Sequence, residues 1–239
     1  MIAVTIATPD YMHLASEQAL SMSSHSGLMT HLILIPEARF EEAVAVKLEL
    51  QRTFRGNTVL FFDADWRAIR PVDVGMLEKL SGAGKFVACQ DPGIFDPAAF
   101  PAPDCKVFGI ERLKYFNSGF WVANFANERH VLAFEKAREL YEESKRGRWK
   151  EIRDYGEQSY LNAGVQMAGV EIELLPDRWN FFYHAFRWGA VAHIPRNIIG
   201  LHAAGSKLPE KMPVLNAQEM LFGMRMHDDV LPREPEAAG

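Results

Sequence analysis

VLFFDADW, residues 59–66, carries an apolar run and then ends it on two acids, Asp63 and Asp65, with one alanine between them. A short β-branched or aromatic run bounded by polar residues reads as a buried strand. Three more such runs share the first half of the chain: IAVTIA (2–7), HLILI (31–35) and KFVAC (85–89). Between them, residues 12–24 and 37–53 carry apolar side chains at helical spacing. Pro71 and Asp73 introduce a further short helix after the acidic pair. Strands alternating with helices predict parallel strands joined by crossovers, an open α/β sheet. Ligands of such sheets collect beyond the carboxyl ends of the strands, where Asp63 and Asp65 stand. Two like charges are tolerated there when a hard divalent cation lies between them. A helix cap or a solvent-facing turn explains a bare D-x-D equally well.

The second half changes texture. GFWVANF (119–125) predicts a strand, residues 127–146 a long amphipathic helix, and EQSYLNAGVQMAG (157–169) a shorter one. DPGIFDPAAFPAPD (91–104) is rich in proline and too long for a tight turn, so it is expected to be a lid or a surface excursion. No repeat or linker divides the chain. Residues 1–227 are expected to form one domain, and 228–239 a disordered tail.

The 239 residues are 48% hydrophobic, enough for a substantial core. A net charge of -5 gives no general attraction to nucleic acid or to an anionic membrane, so any phosphate must be gripped locally or through a metal. Cys89 and Cys105 lack the spacing of a zinc site or a disulfide framework. With no basic leader and no apolar stretch of about twenty residues, the expectation is a cytoplasmic protein without a transmembrane segment.

Three further segments follow the acidic pair. Asn117-Ser118-Gly119 places an amide just before a predicted strand, where it can hold a sugar hydroxyl or simply form a turn. Asp154, Glu157 and Gln158 open a helix, which ordinary acid preference at an N-terminus also explains. IIGLHAAGSK (198–207) ends an apolar run on His202, with Gly205 and Lys207 close behind. In order, the chain reads strand-D-x-D, F-N-S-G, (D/E)-Q-x-x-L-N, L-P-x-x-W-N and H-x-x-G with a lysine. That series resembles glycosyltransferase family 8, retaining enzymes of the GT-A fold, over about residues 2–207.

The resemblance implies a single GT-A domain, with a mainly parallel mixed Rossmann-like sheet flanked by helices. It also implies a hexose transferred from a UDP-sugar to a saccharide or other hydroxyl-bearing acceptor. Asp63, Asp65 and His202 then match the ligands of Mn2+ (or Mg2+), and Lys207 the cation on the diphosphate, with Ala64 and Gly205 in the same donor-binding motifs. Thr8, Asp10 and Tyr11, in ATPDY, fall where the family holds uracil and ribose. Lys47 sits where a basic residue faces the donor. Asn117 matches an amide beside the donor sugar, and Glu157 with Gln158 matches the acidic-Gln pair that lines the reacting face. Three departures stand out: Ser159 replaces a family acid, the His-to-Lys spacing is one residue short, and no extended basic C-terminal region follows. Without an acid at 159, that position cannot supply a covalent nucleophile.

Chemically, the leaving diphosphate gains negative charge while the anomeric carbon becomes electron-poor. The amide oxygen of Gln158 and the carboxylate of Glu157 are expected to support that carbon, while the departing phosphate oxygen takes the acceptor's proton. An inverting reaction would instead need Glu157 or Asp154 as base. Two rival readings remain: a haloacid dehalogenase-like phosphatase using Asp63 and Asp65, in which His202 plays no part, and a nucleotide-sugar-binding protein without turnover.

Overall fold

The computed structural model describes residues 1–36, 40–92, 102–149, 152, 156–182, 195 and 197–202. All fall within one compact unit, Met1–Ala204. Six strands make the main sheet: β1 (Ile2–Ala7), β2 (Thr30–Leu34), β3 (Thr58–Phe62), β5 (Phe86–Gln90), β6 (Phe116–Asn124) and β7 (Ile172–Leu175), in the order β2-β1-β3-β6-β5-β7. β6 runs antiparallel to both neighbours and the other pairings are parallel, so the sheet is mixed but mostly parallel. β3 lies at the centre with residues alternating between two covered faces, which is why TVLFF is continuously apolar. Val59 and Phe61 enter one core with Trp121, Phe86 and Phe134, while Leu60 and Phe62 enter another with Phe120, Val122 and Trp179.

Helices α1 (Met12–Ser26), α2 (Phe40–Lys47), α3 (Leu50–Thr53), α4 (Val74–Gly82), α5 (Ala102–Phe108), α6 (Glu128–Lys145) and α7 (Gln158–Met167) accompany the main sheet. Asp73 caps α4 through the Met76 amide, and Asn127 caps α6 through the Arg129 amide. The helix expected over 37–53 is broken into α2 and α3. Within the proline-rich stretch, residues 93–101 lie outside the described residues, and its last residues, Ala102 to Asp104, begin α5. α6 and α7 pack closely because Gly164 has no side chain: a Cβ there would stand 2.2 Å from the Ala133 carbonyl oxygen.

A second sheet was not anticipated. β4 (Trp66–Ala68), β8 (Phe181–Phe182) and β9 (Gly200–His202) form it in the order β4-β9-β8. Each is too short to show a periodic signal. Gly200 is required where the sheet crosses Trp66, since a Cβ would stand 2.2 Å from the indole ring. The expected tail, 228–239, lies outside the described residues. No helix among them is long and apolar enough to cross a membrane. Cys89 and Cys105 are both buried and free.

Candidate active site

Asp63 and Asp65 occupy a tight turn between β3 and β4. The Trp66 amide closes it on the Asp63 carbonyl at 2.9 Å, and the Asp63 amide donates to the Gly119 carbonyl at 2.9 Å. β4 then pairs antiparallel with β9 in a register that sets His202 opposite Trp66. The small sheet therefore delivers an imidazole from far along the chain onto the acidic turn. His202 Nε2 lies 3.2 Å from Asp65 Oδ1 and 3.7 Å from Asp63 Oδ2. One ligand atom from each of the three residues lies within 4.8 Å of the others, close to the span of a shared coordination sphere. The ring is only 3% exposed, and Nδ1 has no hydrogen-bond partner among the described residues.

Gly119 forms the floor. A Cβ on it would stand 2.1 Å from His202 Cε1, 2.8 Å from Asp63 Oδ2 and 2.9 Å from Asn117 Oδ1. Two carboxylates and an imidazole, converging over a glycine that leaves them room, fit a divalent cation. Burial lifts the Asp63 carboxyl above its ordinary range, against the opposing pull of the Lys47 ammonium, although a third of the side chain stays open to solvent. Burial also acts to raise Asp65, but the charge and hydrogen bond of His202 outweigh it and hold that carboxyl low. Desolvation would depress the His202 imidazole. Asp65, followed by Asp63, more than reverses this.

Lys47 ties this cluster to the next. Its Nζ is 2.8 Å from Asp63 Oδ1 and 2.5 Å from Glu157 Oε1, and it sits 4.3 Å from the centre of the Phe61 ring. The buried ammonium pays its desolvation cost through these two carboxylates, which raise its pKa. Glu157 also accepts from the Ser118 hydroxyl at 2.7 Å.

Asn117, Ser118 and Gly119 lie inside β6, which begins at Phe116, three residues before the predicted strand start. Between Ala88 and Cys89 on β5, the partners on β6 jump from Trp121 to Asn117. This bulge draws the intervening amides out of the regular ladder. The Ser118 amide donates instead to Gln158 Oε1 at 3.0 Å, and the Gly119 amide to Asn117 Oδ1 at 2.9 Å. Asn117 Nδ2 donates to the same Gln158 Oε1 at 2.8 Å. The Gln158 oxygen, expected to support the sugar, is thus engaged in holding β6. Its Nε2 donates to Asp91 Oδ2 at 2.8 Å.

Ser159 belongs to a separate buried polar group, donating to Asp104 Oδ2 and standing 3.3 Å from the Tyr115 hydroxyl. Asn162 clips α7 to the strand: Oδ1 accepts from the Phe116 amide and Nδ2 donates to the Phe116 carbonyl, both at 2.8 Å. Sequence reasoning gave no role to Asp91, Ser118, Asn162 or Asn180. The two asparagines were visible as the last letters of their motifs, but their partners are remote in the chain.

Thr8 follows β1 and precedes a 3-10 turn, Pro9–Tyr11, that contains Asp10 and Tyr11; it lies at the same end of the sheet as the acidic turn because β1 and β3 are parallel neighbours. Tyr11 packs on the small apolar cluster that contains Ala64. Its hydroxyl is raised by burial and then by the charges of Asp65 and Asp10. Gly205, Lys207 and Asp154 lie outside the described residues.

No protein-family model and no curated protein sequence matches the chain. Solved structures do. A galactosyltransferase, LgtC, in complex with donor and acceptor sugar analogues superposes with a TM-score of 0.66 at 17% identity, covering 99% of this chain and 98% of that one. GlyE, a glycosyltransferase of Streptococcus pneumoniae TIGR4, gives 0.61 at 17% identity over 98% of this chain and 66% of its own. Mouse xyloside xylosyltransferase 1 in its apo form gives 0.57 at 9% identity over 85% and 97%. With its mixed sheet and its acidic turn at the carboxyl end of the central strand, the chain has the GT-A-type fold of these glycosyltransferases.

Proposed function

We propose that the protein is a metal-dependent glycosyltransferase, related to family 8, that moves a hexose from a UDP-sugar to a hydroxyl-bearing acceptor with retention of configuration. The observation that carries this reading is the meeting of Asp63, Asp65 and His202, within one coordination sphere, on a fold shared with glycosyltransferases. Asp63, Asp65 and His202 would hold Mn2+ or Mg2+, which when bound supplies Lewis-acid stabilisation to a leaving diphosphate. Thr8, Asp10 and Tyr11 would carry the uridine, with Ala64 close to Tyr11. Gly205 and Lys207 would flank the diphosphate. Lys47 fixes Asp63 and Glu157 in position, so Glu157 presents negative charge to the electron-poor anomeric carbon. Gln158 orients Asn117 beside the sugar. With Ser159 turned toward Asp104, the acceptor's proton passes to the departing phosphate oxygen on the same face. A single catalytic domain over residues 1–227 and a cytoplasmic location belong to the same proposal. The phosphatase alternative gives His202 no part, whereas its ring lies against both acids.

Thermal unfolding with UDP, with and without Mn2+, tests the reading. Joint binding is expected to raise the Tm of the native chain by roughly 5–10 °C, as tight ligands do. Neither ligand alone should achieve this, and Asp65→Ala should lose it. A shift with UDP that ignores the metal would overturn the proposal. Hydrolysis of a UDP-hexose panel then separates a transferase from a protein that binds without turnover.

A further inference from the structure

Three carboxamides form a chain whose direction can be read without ambiguity. A backbone N–H can only donate. The Ser118 amide therefore fixes the contacted end of Gln158 as its oxygen, and the Gly119 amide does the same for Asn117. Asn117 must then turn its Nδ2 to Gln158, and Asn180 must turn its Nδ2 to Asn117 Oδ1, as found at 3.0 Å. At the other end, Gln158 Nε2 finds the Asp91 carboxylate. Every orientation follows from the two backbone donors in the β6 bulge.

One atom is left over. Asn180 is 3% exposed, and its Oδ1 has no hydrogen-bond partner among the described residues. Leaving a buried carbonyl oxygen unsatisfied carries the full desolvation penalty of that group, and the amide cannot flip to avoid this without opposing its oxygen to Asn117 Oδ1. The place is informative as well. Asn117 Oδ1, which Asn180 holds, converges over Gly119 with Asp63 Oδ2 and the His202 ring. The unpaired acceptor thus belongs to an amide one hydrogen bond removed from the cluster on which a diphosphate would rest.

We propose that Asn180 Oδ1 accepts a hydrogen bond from a hydroxyl of the transferred sugar, making Asn180 a specificity-determining residue that the β6 bulge and the amide chain hold in one orientation. The inference rests on the nucleotide-sugar reading above. A site built to pair a hydroxyl discriminates strongly against a ligand that lacks it, because its own polar group is then stranded.

The test is calorimetric and needs no turnover. UDP, UDP-glucose, UDP-galactose and their singly deoxygenated analogues are titrated in the presence of Mn2+ into the native chain, Asn180→Ala and Asn180→Asp. The native chain should bind one deoxy analogue about tenfold more weakly than its parent. Asn180→Ala should lose that difference while holding UDP itself within about twofold of native. Asn180→Asp keeps an oxygen in the open position but loses the donor to Asn117. It should bind more weakly overall yet still distinguish the parent from that analogue. Unliganded melting checks that both variants fold; if Asn180→Ala does not, the Asn180→Asp series decides alone. Uniform weakening of every ligand, UDP included, would reduce Asn180 to a structural strut and overturn the inference while leaving the nucleotide-sugar reading intact. No binding of UDP with Mn2+ to the native chain would overturn both.

Discussion

β6 is buried along almost its whole length, yet its two halves are held by different forces. From Phe120 to Ala123, side chains alternate into two apolar cores, and Trp121 stacks on Phe61 at 5.0 Å with Phe134 edge-on at 5.1 Å. From Asn117 to Gly119, the side chains and the bulged backbone are met by specific polar partners: Gln158, Glu157, Asn180, Asp63 and, for the Gly119 amide, Asn117 itself. The first half depends on volume and contact area, the second on directed hydrogen bonds. One strand can therefore anchor a core and build a site, provided its ladder is interrupted between the two. The bulge opposite Ala88 and Cys89 is that interruption.

The largest expected effect lies in the apolar half. Trp121→Ala should lower the unfolding free energy by about 3–5 kcal/mol in urea melts, as emptied aromatic sites do. It should leave Mn2+ affinity nearly unchanged in whatever fraction remains folded. Loss of the metal at equal stability would break the distinction between the halves.

Gly119→Ala sharpens it from the other side. The new methyl group would displace His202 and Asp63, so Mn2+ binding read by electron paramagnetic resonance should weaken about a hundredfold, a change of roughly 2.7 kcal/mol. A variant that binds Mn2+ normally would show that the three side chains do not need the floor that the glycine leaves open.

The smallest effect concerns the far end of the strand. The Asn124 amide donates to His130 Nδ1 at 2.9 Å, and His130 Nε2 lies 3.0 Å from the Gly84 carbonyl, so the buried ring is neutral with its proton on Nε2. Burial depresses its pKa below the ordinary value, against the weaker pull of the Gly84 bond. The unfolded chain then binds a proton at a higher pH than the native one. This group's stabilisation is complete above the unfolded value, near 6.5, and is lost as the pH falls through it toward the depressed native value. Between pH 7.5 and 5.5 the native chain should lose more stability than His130→Gln does. Equal slopes would show that the hydrogen bonds do not hold the ring neutral.

Legibility followed the same division. TVLFF, IAVTIA and the strand-end positions of Asp63 and His202 could be read because burial on both faces leaves a continuous apolar run with an abrupt polar end. The FNS that precedes Gly119 could not be read as strand, since its polar residues are buried only by virtue of Gln158, Glu157 and Asn180, all far off in sequence. Lys47 shows the same limit. Within VAVKLEL it reads as the polar face of a helix, and only the folded chain makes it the bridge between Asp63 and Glu157. β4 and β9, which bring His202 home, are three residues each and carry no period.

The pairing of Trp66 with His202 has a consequence for biosynthesis. On the ribosome, all six strands of the main sheet emerge before β9 does, so the acidic turn is completed well ahead of the imidazole that faces it. Closing so long a loop is slow relative to local folding. A nascent chain thus passes through a stage in which its scaffold can assemble while the acidic turn still lacks its imidazole, and the three-residue cluster is complete only with the last described strand.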